Sequence, residues 1–251
     1  MGTEQDLVPV LKKLRLSGVL NTLDLRVRQA VDDDLGHVEF LYRLLNDEVE
    51  RREAKQLQLR LARARFESTK GLDAFDFRFN PQIPKARVVD LCTCAFIERQ
   101  ENVCLIGPAG VGKSHLAQTI GKRACRAGHS VLYTPASRLL DQLRASRADH
   151  SYDRVMAKFT GVDVLIVDDL GLRPLRGQEP EDLYELIRRR YERASTIVTS
   201  NRAIEEWFPL FNDDLMASAA MDRLLHHAHV IVMEGDSFRN PPPGKRESAA
   251  A

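Results

Sequence analysis

The chain has 251 residues, 43% of them hydrophobic and 29% charged, which suits one sizeable α/β domain with a smaller appendage. Its formal net charge of +1 gives no sign of a strongly basic nucleic-acid-binding protein, and its four cysteines lack the paired CxxC spacing of a zinc site. No stretch approaches the roughly 18 apolar residues of a membrane span, and the N-terminus has no signal core, so we expect a cytoplasmic protein with reduced thiols and no membrane contact.

An N-terminal helical domain is predicted over residues 1–70. Apolar residues recur at helical spacing from Leu7 onward, and residues 37–66 form a long amphipathic pattern without glycine or proline. Residues 71–87, GLDAFDFRFNPQIPKAR, interrupt this pattern with one glycine and two prolines. We therefore predict a linker there.

Strand and helix patterns alternate over residues 88–239. Apolar runs predict strands at 102–107, 130–135, 162–170, 195–201 and 229–234. Helical patterns lie at 88–99, 113–127, 136–146, 180–193 and 216–228. This alternation predicts an α/β domain with a parallel sheet between helices. The remaining residues, 240–251, have the composition of a disordered tail.

The sequence GPAGVGKS matches the phosphate-loop motif GxxxxGK[ST] of P-loop NTPases. Its residues are Gly107, Pro108, Ala109, Gly110, Val111, Gly112, Lys113 and Ser114. The glycines allow backbone N–H groups to point at phosphates, Lys113 reaches the β and γ phosphates, and Ser114 ligates Mg²⁺. Because the motif follows a predicted strand and opens a helix, we predict an ATP and Mg²⁺ site that includes the next residue, His115; a purely structural glycine loop is the alternative.

Two acids and an amide end two of the predicted strands. Asp168 and Asp169 follow the apolar run VDVLIV, and Asn201 ends STIVTSN. Ligands bind at this edge of open α/β sheets, so Asp168 is predicted to hold Mg²⁺, Asp169 to act as general base and Asn201 to hold the attacking water. The alternatives are an exposed Asp-Asp-Leu-Gly turn and an ordinary strand-terminating asparagine.

Several sequence blocks resemble those of one known family. They are FDFRFNPQIPK, ENVCLIGPAGVGKSHLAQTIG, VLIVDDLG, TSNRAIEEW and DRLLHHAHVIVMEGDSFR. In order and spacing they resemble the IstB-type transposition helper ATPases, AAA+ proteins that are close to the DnaC-type helicase loaders. The resemblance implies an AAA+ core behind an N-terminal helical domain, DNA binding, ATP-dependent assembly and a partner transposase encoded by the same insertion element.

The resemblance also implies residue roles. Asp168 and Asp169 match the Walker B acids, and Asn201 matches the sensor asparagine. Arg223 matches the arginine finger that a subunit donates to its neighbour, with an Asp222-linked surface arginine as the alternative; Arg239 resembles a second γ-phosphate sensor. The second acid is aspartate rather than the glutamate of the wider AAA+ pattern, and no C-terminal lid domain is expected. Both departures favour slow hydrolysis that serves as an assembly switch.

DNA contacts are expected from arginines on several segments. The candidates are Arg173, Arg176, Arg188, Arg189, Arg190 and the stretch from Arg51 to Arg65. For each of them a solvated helix face or an intersubunit pair is the alternative. The histidines His226, His227 and His229 suggest a metal site only weakly, since two of the three share a helical face and no further ligand is evident, so we interpret them as structural.

These features predict an ATPase that assembles as a homo-oligomer with composite ATP sites on duplex DNA, largely without sequence preference, and directs a transposase. A DnaC-like loader of a replicative helicase is the nearest alternative. A small-molecule kinase is a third, although no acceptor site is evident in the sequence.

Overall fold

The computed structural model describes residues 4–211 and 213–242. The chain divides into two compact units, residues 1–59 and residues 60–251, which are described separately. Most of the predicted disordered tail, residues 243–251, lies outside the described residues. Among the described helices, none is both long and apolar enough to cross a membrane.

The first unit is helical, as the periodicity predicts. It contains α1 (Glu4–Lys13), α2 (Ser17–Asp32) and most of α3 (His37–Ala64). Its small core consists of Leu11, Val19, Leu23 and Leu44. Gly18 lies where α2 and α3 approach closely, since a Cβ there would be 2.7 Å from the Glu48 Cα.

Ion pairs supplement the small core of the first unit. Glu48 is 3% exposed, accepts a hydrogen bond from the Gly18 N–H and pairs with Arg51 and Arg52 at 2.9 and 2.7 Å. The hydrogen bond from Arg51 is the main reason why the pKa of Glu48 falls to about 2. Asp47 pairs with Arg26 at 2.6 Å, and this hydrogen bond lowers the pKa of Asp47.

The second unit is built on a five-stranded parallel sheet. The strands are β1 (Val103–Ile106), β2 (Val131–Pro135), β3 (Val164–Asp168), β4 (Ser195–Ser200) and β5 (His229–Val232). Their order is β2-β3-β4-β1-β5, and every neighbouring pair is parallel. The residues of β1, β3 and β4 are buried throughout, as expected for strands with helices on both faces. The predicted α/β architecture is confirmed.

Helices precede the first strand and connect the strands that follow. They are α4 (Lys85–Leu91), α5 (Ala95–Glu98), α6 (Lys113–Arg126), α7 (Ala136–Ala148), α8 (Tyr152–Thr160), α9 (Glu179–Arg190) and α10 (Asp214–Leu225), with 3₁₀ turns at Leu72–Ala74 and Ile204–Leu210. The single helix predicted over 88–99 is wrong, because the left-handed Cys94 (φ 68°) separates α4 from α5. The sequence reasoning did not predict α8 or the turn at Ile204–Leu210.

Buried residues of the second unit hold the strand ends in place. Trp207 is fully buried, and its indole N–H donates to the Ser200 hydroxyl at 3.1 Å. That hydroxyl donates in turn to the Leu170 carbonyl at 2.7 Å. The turn at Ile204–Leu210 therefore fixes the end of β4 and the start of the loop that follows β3.

Candidate nucleotide-binding site

A cleft of about 550 Å³ opens at the carboxyl ends of the strands. Five of its lining residues come from the phosphate-loop region: Ala109, Gly110, Gly112, Lys113 and Ser114. His115, Asp169, Asn201 and Arg239 line the same cleft. The structure thus brings together the predicted lysine, serine, second acid, sensor amide and C-terminal arginine.

The phosphate loop adopts a backbone that requires glycine before α6. Gly112 has φ +99° and precedes the first residue of α6, Lys113. A Cβ on Gly112 would lie 2.5 Å from a ring carbon of Phe75, so the close approach of this aromatic ring adds a second constraint. The N-terminus of α6 faces the cleft, where its backbone dipole favours an anion.

Lys113 is folded back onto the phosphate loop. Its ammonium group donates to the carbonyl oxygens of Gly107 and Pro108, both at 2.7 Å, and the residue is only 4% exposed. Burial lowers the pKa of Lys113, and the carboxylates of Asp169 and Asp168 oppose this effect. A bound triphosphate would replace the two carbonyl contacts with phosphate oxygens, for which this cation is already in place.

The two acids at the end of β3 lie in different surroundings. Asp168 is 5% exposed, and its two carboxylate oxygens accept hydrogen bonds from the hydroxyls of Tyr133 (2.6 Å) and Thr199 (2.5 Å). Asp169 instead lines the cleft in a left-handed conformation, φ 57°. Burial, and then the charge of Asp168, raise the pKa of Asp169, which suits a group that is to accept a proton.

The oxygen donors present fit a magnesium ion. Asp168 uses one lone pair on each carboxylate oxygen for its hydrogen bonds, which leaves further lone pairs for a metal or its water. The Ser114 hydroxyl is a second donor of the hard type that Mg²⁺ prefers. Outside this site, His226 and His227 lie against each other and His229 contacts Glu101 at 2.7 Å. Within the described ranges there is no group of three or more histidine, cysteine or acidic ligands for a metal.

Arg223 lies outside the cleft of its own chain. It is on α10, where its guanidinium donates to the Ala219 carbonyl at 2.7 Å and lies 5.8 Å from the ring centre of Tyr184. It is not among the residues that line the cleft in the described part of the chain. The structure therefore does not bring Arg223 together with the other predicted site residues of its own chain.

Aromatic residues that the sequence reasoning did not assign to the site form one wall of the cleft. Phe75 and Phe238 line it, with their ring centres 5.4 Å apart, and Phe75 meets the ring of His115 edge-on. Phe75 belongs to the segment 71–87, which was predicted as a linker but contributes directly to the cleft. The three closely spaced phenylalanines Phe75, Phe77 and Phe79 were the available signal, because such a cluster in a segment predicted as a linker indicates side chains that pack against another part of the protein.

Two distant segments meet beside the phosphate loop. The Asn80 side chain exchanges two hydrogen bonds of 2.9 Å with the backbone of Asp236. The Phe238 N–H donates to the Gly110 carbonyl, also at 2.9 Å. These bonds place the segment that carries Arg239 directly on the phosphate loop.

The arginines that were candidates for DNA contact differ in their surroundings. Arg173 makes two hydrogen bonds with Glu179 (2.7 and 2.8 Å), and Arg188 and Arg189 both pair with Glu185. Arg176, which lies like Arg173 in the loop between β3 and α9, is exposed. These four remain near the surface as predicted candidates.

Arg190 requires a correction. It is 2% exposed, and its guanidinium donates to the carbonyls of Phe159 (2.9 Å), Val162 (3.0 Å) and Ser195 (2.5 Å) and to the Thr196 hydroxyl (3.1 Å). Burial lowers the pKa of Arg190 to about 9. Because its donors are used inside the fold, Arg190 is a structural residue and is removed from the DNA candidates.

Solved structures share the fold of the second unit. AMPPCP-bound DnaA from Aquifex aeolicus superposes with a TM-score of 0.57 at 17% sequence identity. The match covers 68% of this chain, and this chain spans about half (52%) of the DnaA chain. At this identity the likeness shows the fold alone, which is that of an AAA+ P-loop protein.

Sequence relatives extend over nearly the whole chain. A putative ATP-binding protein in an insertion sequence of Mycobacterium tuberculosis is 41% identical over 243 residues, covering 95% of this chain and 96% of that one. The putative ATP-binding protein of insertion sequence IS21 from Pseudomonas aeruginosa is 37% identical over 234 residues, covering 93% of this chain and 88% of that one. The family model described as IstB-like ATP binding protein matches residues 9–246. Given the phosphate loop, the acids at the end of β3 and these matches, the chain belongs to the IstB-like ATP-binding protein family, a class for which ATPase activity is expected.

Proposed function

We propose that this protein is an ATP-dependent regulator of transposition that assembles on duplex DNA and directs a partner transposase. The relatives are named as ATP-binding proteins of insertion sequences, which supports a role beside a transposase. The observation that carries the proposal is the position of Arg223. The cleft contains Lys113, Asp169, Asn201 and Arg239, whereas Arg223 lies outside it.

The nucleotide would be bound mainly by the phosphate loop. Lys113 and the N-terminal amides of α6 would bind the phosphates, and Ser114 and Asp168 would hold Mg²⁺. When bound, Mg²⁺ neutralises charge on the phosphate oxygens. Asn201 and Asp169 both line the cleft, where they would orient a water molecule and accept its proton.

The geometry supports slow hydrolysis. Asp169 has a side chain one methylene shorter than glutamate, and its left-handed backbone is held by a 2.9 Å hydrogen bond from its N–H to the Thr199 hydroxyl. The site would be complete only when a neighbouring subunit supplies Arg223 to the γ-phosphate. ATP would therefore act as a switch for assembly, and its hydrolysis would limit the lifetime of the assembly.

Binding to DNA would rest on many weak phosphate contacts. The net charge of one chain is only +1, so the contacts must add up over several subunits. The candidates are Arg173, Arg176, Arg188, Arg189 and the stretch from Arg51 to Arg65. Glu179 now pairs with Arg173, and Glu185 with Arg188 and Arg189; these carboxylates would give way to phosphates or share the arginines with them. Such binding weakens steeply with salt and has little sequence preference.

The test is to mix the full chain with duplex DNA of random sequence and ATP, ADP or no nucleotide, and to examine it by mass photometry and electron microscopy. We expect oligomers on DNA with ATP only. Lys113→Ala should abolish nucleotide binding, and Arg223→Ala should retain nucleotide binding but lose the oligomer. Arg126→Ala, at an exposed arginine on α6, is the control and should behave as the unaltered protein.

Two outcomes would overturn the proposal. A protein that stays monomeric on DNA in the presence of ATP is incompatible with a composite site. Preference for single-stranded DNA together with binding to a DnaB-type ring, rather than to the transposase, would instead support a helicase loader.

A further inference from the structure

Asp168 ends the middle one of three adjacent strands, and a hydroxyl group from each neighbouring strand reaches it. On one side, Tyr133 of β2 donates to Oδ2 at 2.6 Å. On the other side, Thr199 of β4 donates to Oδ1 at 2.5 Å. The strand order β2-β3-β4 is the reason why both oxygens of this carboxylate are held.

The strand register places these side chains on one face of the sheet. Tyr133 pairs with Ile166, which lies two residues before Asp168 and therefore points to the same face. Diagonal neighbours of this kind are within reach of a long aromatic side chain. Val198 pairs with Val167, so the next residue, Thr199, lies beside Asp168. The arrangement is thus fixed by the sheet itself and not by a loop.

The hydroxyl of Thr199 contacts both acids. It donates to Asp168 and accepts the hydrogen bond from the Asp169 N–H at 2.9 Å. It is fully buried, with no exposed surface. A displacement of Thr199 would therefore disturb the orientation of Asp168 and the turn that carries Asp169 at the same time.

The Tyr133 hydroxyl has a single proton and two carboxylates near it. Glu67 Oε2 lies 3.3 Å away, whereas Asp168 Oδ2 lies 2.6 Å away, so the proton is donated to Asp168. The two hydroxyls thus bond to different oxygens of the same carboxylate. They fix the direction of Asp168, as partners of a metal ligand do.

We propose that Tyr133 and Thr199 are positioning residues that hold Asp168 in the orientation in which it binds the magnesium ion of the nucleotide. The inference rests on the proposed nucleotide function and assigns a role in it to two residues to which the sequence analysis gave none. Like the buried Asp168 itself, neither residue is among those that line the cleft in the described part of the chain. Their hydroxyls bond to Asp168, so both would act through it.

The test measures nucleotide binding rather than turnover. A fluorescent, non-hydrolysable ATP analogue is titrated into the full chain in EDTA and then at increasing Mg²⁺ concentration. For Tyr133→Phe we expect the affinity for the analogue in EDTA to be unchanged. The Mg²⁺ concentration that gives half of the maximal gain in affinity should be higher by about tenfold, as is typical when a partner of a metal ligand is lost. An unchanged Mg²⁺ response, or an equal loss of affinity in EDTA and in Mg²⁺, would overturn the proposal.

Tyr152→Phe is the matched control. Its hydroxyl donates to Asp182 at 2.9 Å, so the same chemical change removes another tyrosine–aspartate bond away from the cleft. This variant should keep the Mg²⁺ response of the unaltered protein. If the unaltered protein itself fails to bind the analogue, the proposed nucleotide function fails, which is a different result from a failure of Tyr133→Phe alone.

A second pair of variants keeps the test valid if Tyr133→Phe does not fold. Thr199→Val removes the hydroxyl at nearly constant volume, and Thr199→Ser restores it. We expect the valine variant to show the weakened Mg²⁺ response and the serine variant to recover it. Equal behaviour of the valine and serine variants would contradict a positioning role for this hydroxyl.

Discussion

The two compact units of this chain are stabilised in different ways. The second unit has a parallel sheet in which β1, β3 and β4 are buried along their length, and a core of more than twenty buried apolar side chains. Among its described residues, the first unit has a core of four, Leu11, Val19, Leu23 and Leu44, and it relies on the buried Glu48 with its arginine partners. Most of the exposed large apolar side chains, such as Val31 (76%) and Val38 (84%), also belong to the first unit.

The two units therefore differ in how far their stability depends on buried charged groups. In the second unit, the buried Arg190 supports a fold that already has an apolar core, whereas in the first unit ion pairs replace part of the core. Small cores are marginally stable, so the first unit should respond to substitutions and to pH that leave the sheet intact.

Arg190→Met should destabilise the second unit by about 4 kcal/mol, because the carbonyls of Phe159, Val162 and Ser195 lose their buried donor. The measurement is denaturant unfolding followed by the fluorescence of Trp207. Arg188→Met, two residues earlier and exposed, is the control and should leave the stability nearly unchanged. Equal losses for the two variants would show that the buried contacts of Arg190 carry no stability.

Leu23→Ala should destabilise the first unit by about 3 kcal/mol, since a fully packed leucine is removed from a core of four side chains. Amide hydrogen exchange in the full chain should then become fast over α2 while the strands remain protected. Leu25→Ala, at a 55% exposed position of the same helix, should leave the exchange unchanged. Exchange that speeds up equally in the strands would contradict independent stabilities of the two units.

Acid should weaken the first unit before the second. The folded-state pKa of Glu48 is lowered to about 2 from an ordinary value of 4.5, so its contribution is present above pH 4.5 and is lost as the pH falls toward 2. Glu48→Gln should remove about 1–2 kcal/mol at neutral pH and flatten this dependence. The exposed Glu50→Gln is the control, and a Glu48→Gln protein with the original acid sensitivity would contradict the assignment.

Much of the fold and of the cleft could be predicted from sequence. The strands of the second unit are runs of buried β-branched and leucine residues, and the phosphate loop has fixed spacing, so local patterns were sufficient. The break at Cys94 was not predictable, because a left-handed cysteine has no sequence signal comparable to glycine. The helix α8 was missed because it is short and lies between two stronger patterns.

The adjacent arginines of α9 show that the position of a residue around the helix helps to predict its burial. The sequence has the same residue type at three consecutive positions, Arg188, Arg189 and Arg190. On the helix, their side chains point in different directions. Arg190 follows Ile187 by three residues and Leu183 by seven, and both of these side chains are buried on the same face of α9. That phase was available in the sequence and would have separated the buried arginine from its exposed neighbours.

The aromatic wall of the cleft could be predicted only in part. The cluster of phenylalanines that includes Phe75 indicates that this segment packs against another part of the protein, but it does not say against which part. The approach of Phe75 to Gly112 and Phe238 depends on contacts between segments that are far apart in the chain. Such contacts leave no local periodicity, so they became visible only in the structure.

The pair formed by Asn80 and Asp236 joins residues 156 positions apart beside the phosphate loop. During synthesis, Lys113 and Asp168 leave the ribosome well before Asp236 and Phe238 do. The aromatic wall of the cleft, and the segment that lies on the phosphate loop, are therefore completed only after all five strands have been made. A nascent chain that has reached only Asp168 therefore has the phosphate loop but lacks both the Phe238 ring in the cleft and the hydrogen bond from Phe238 to the Gly110 carbonyl.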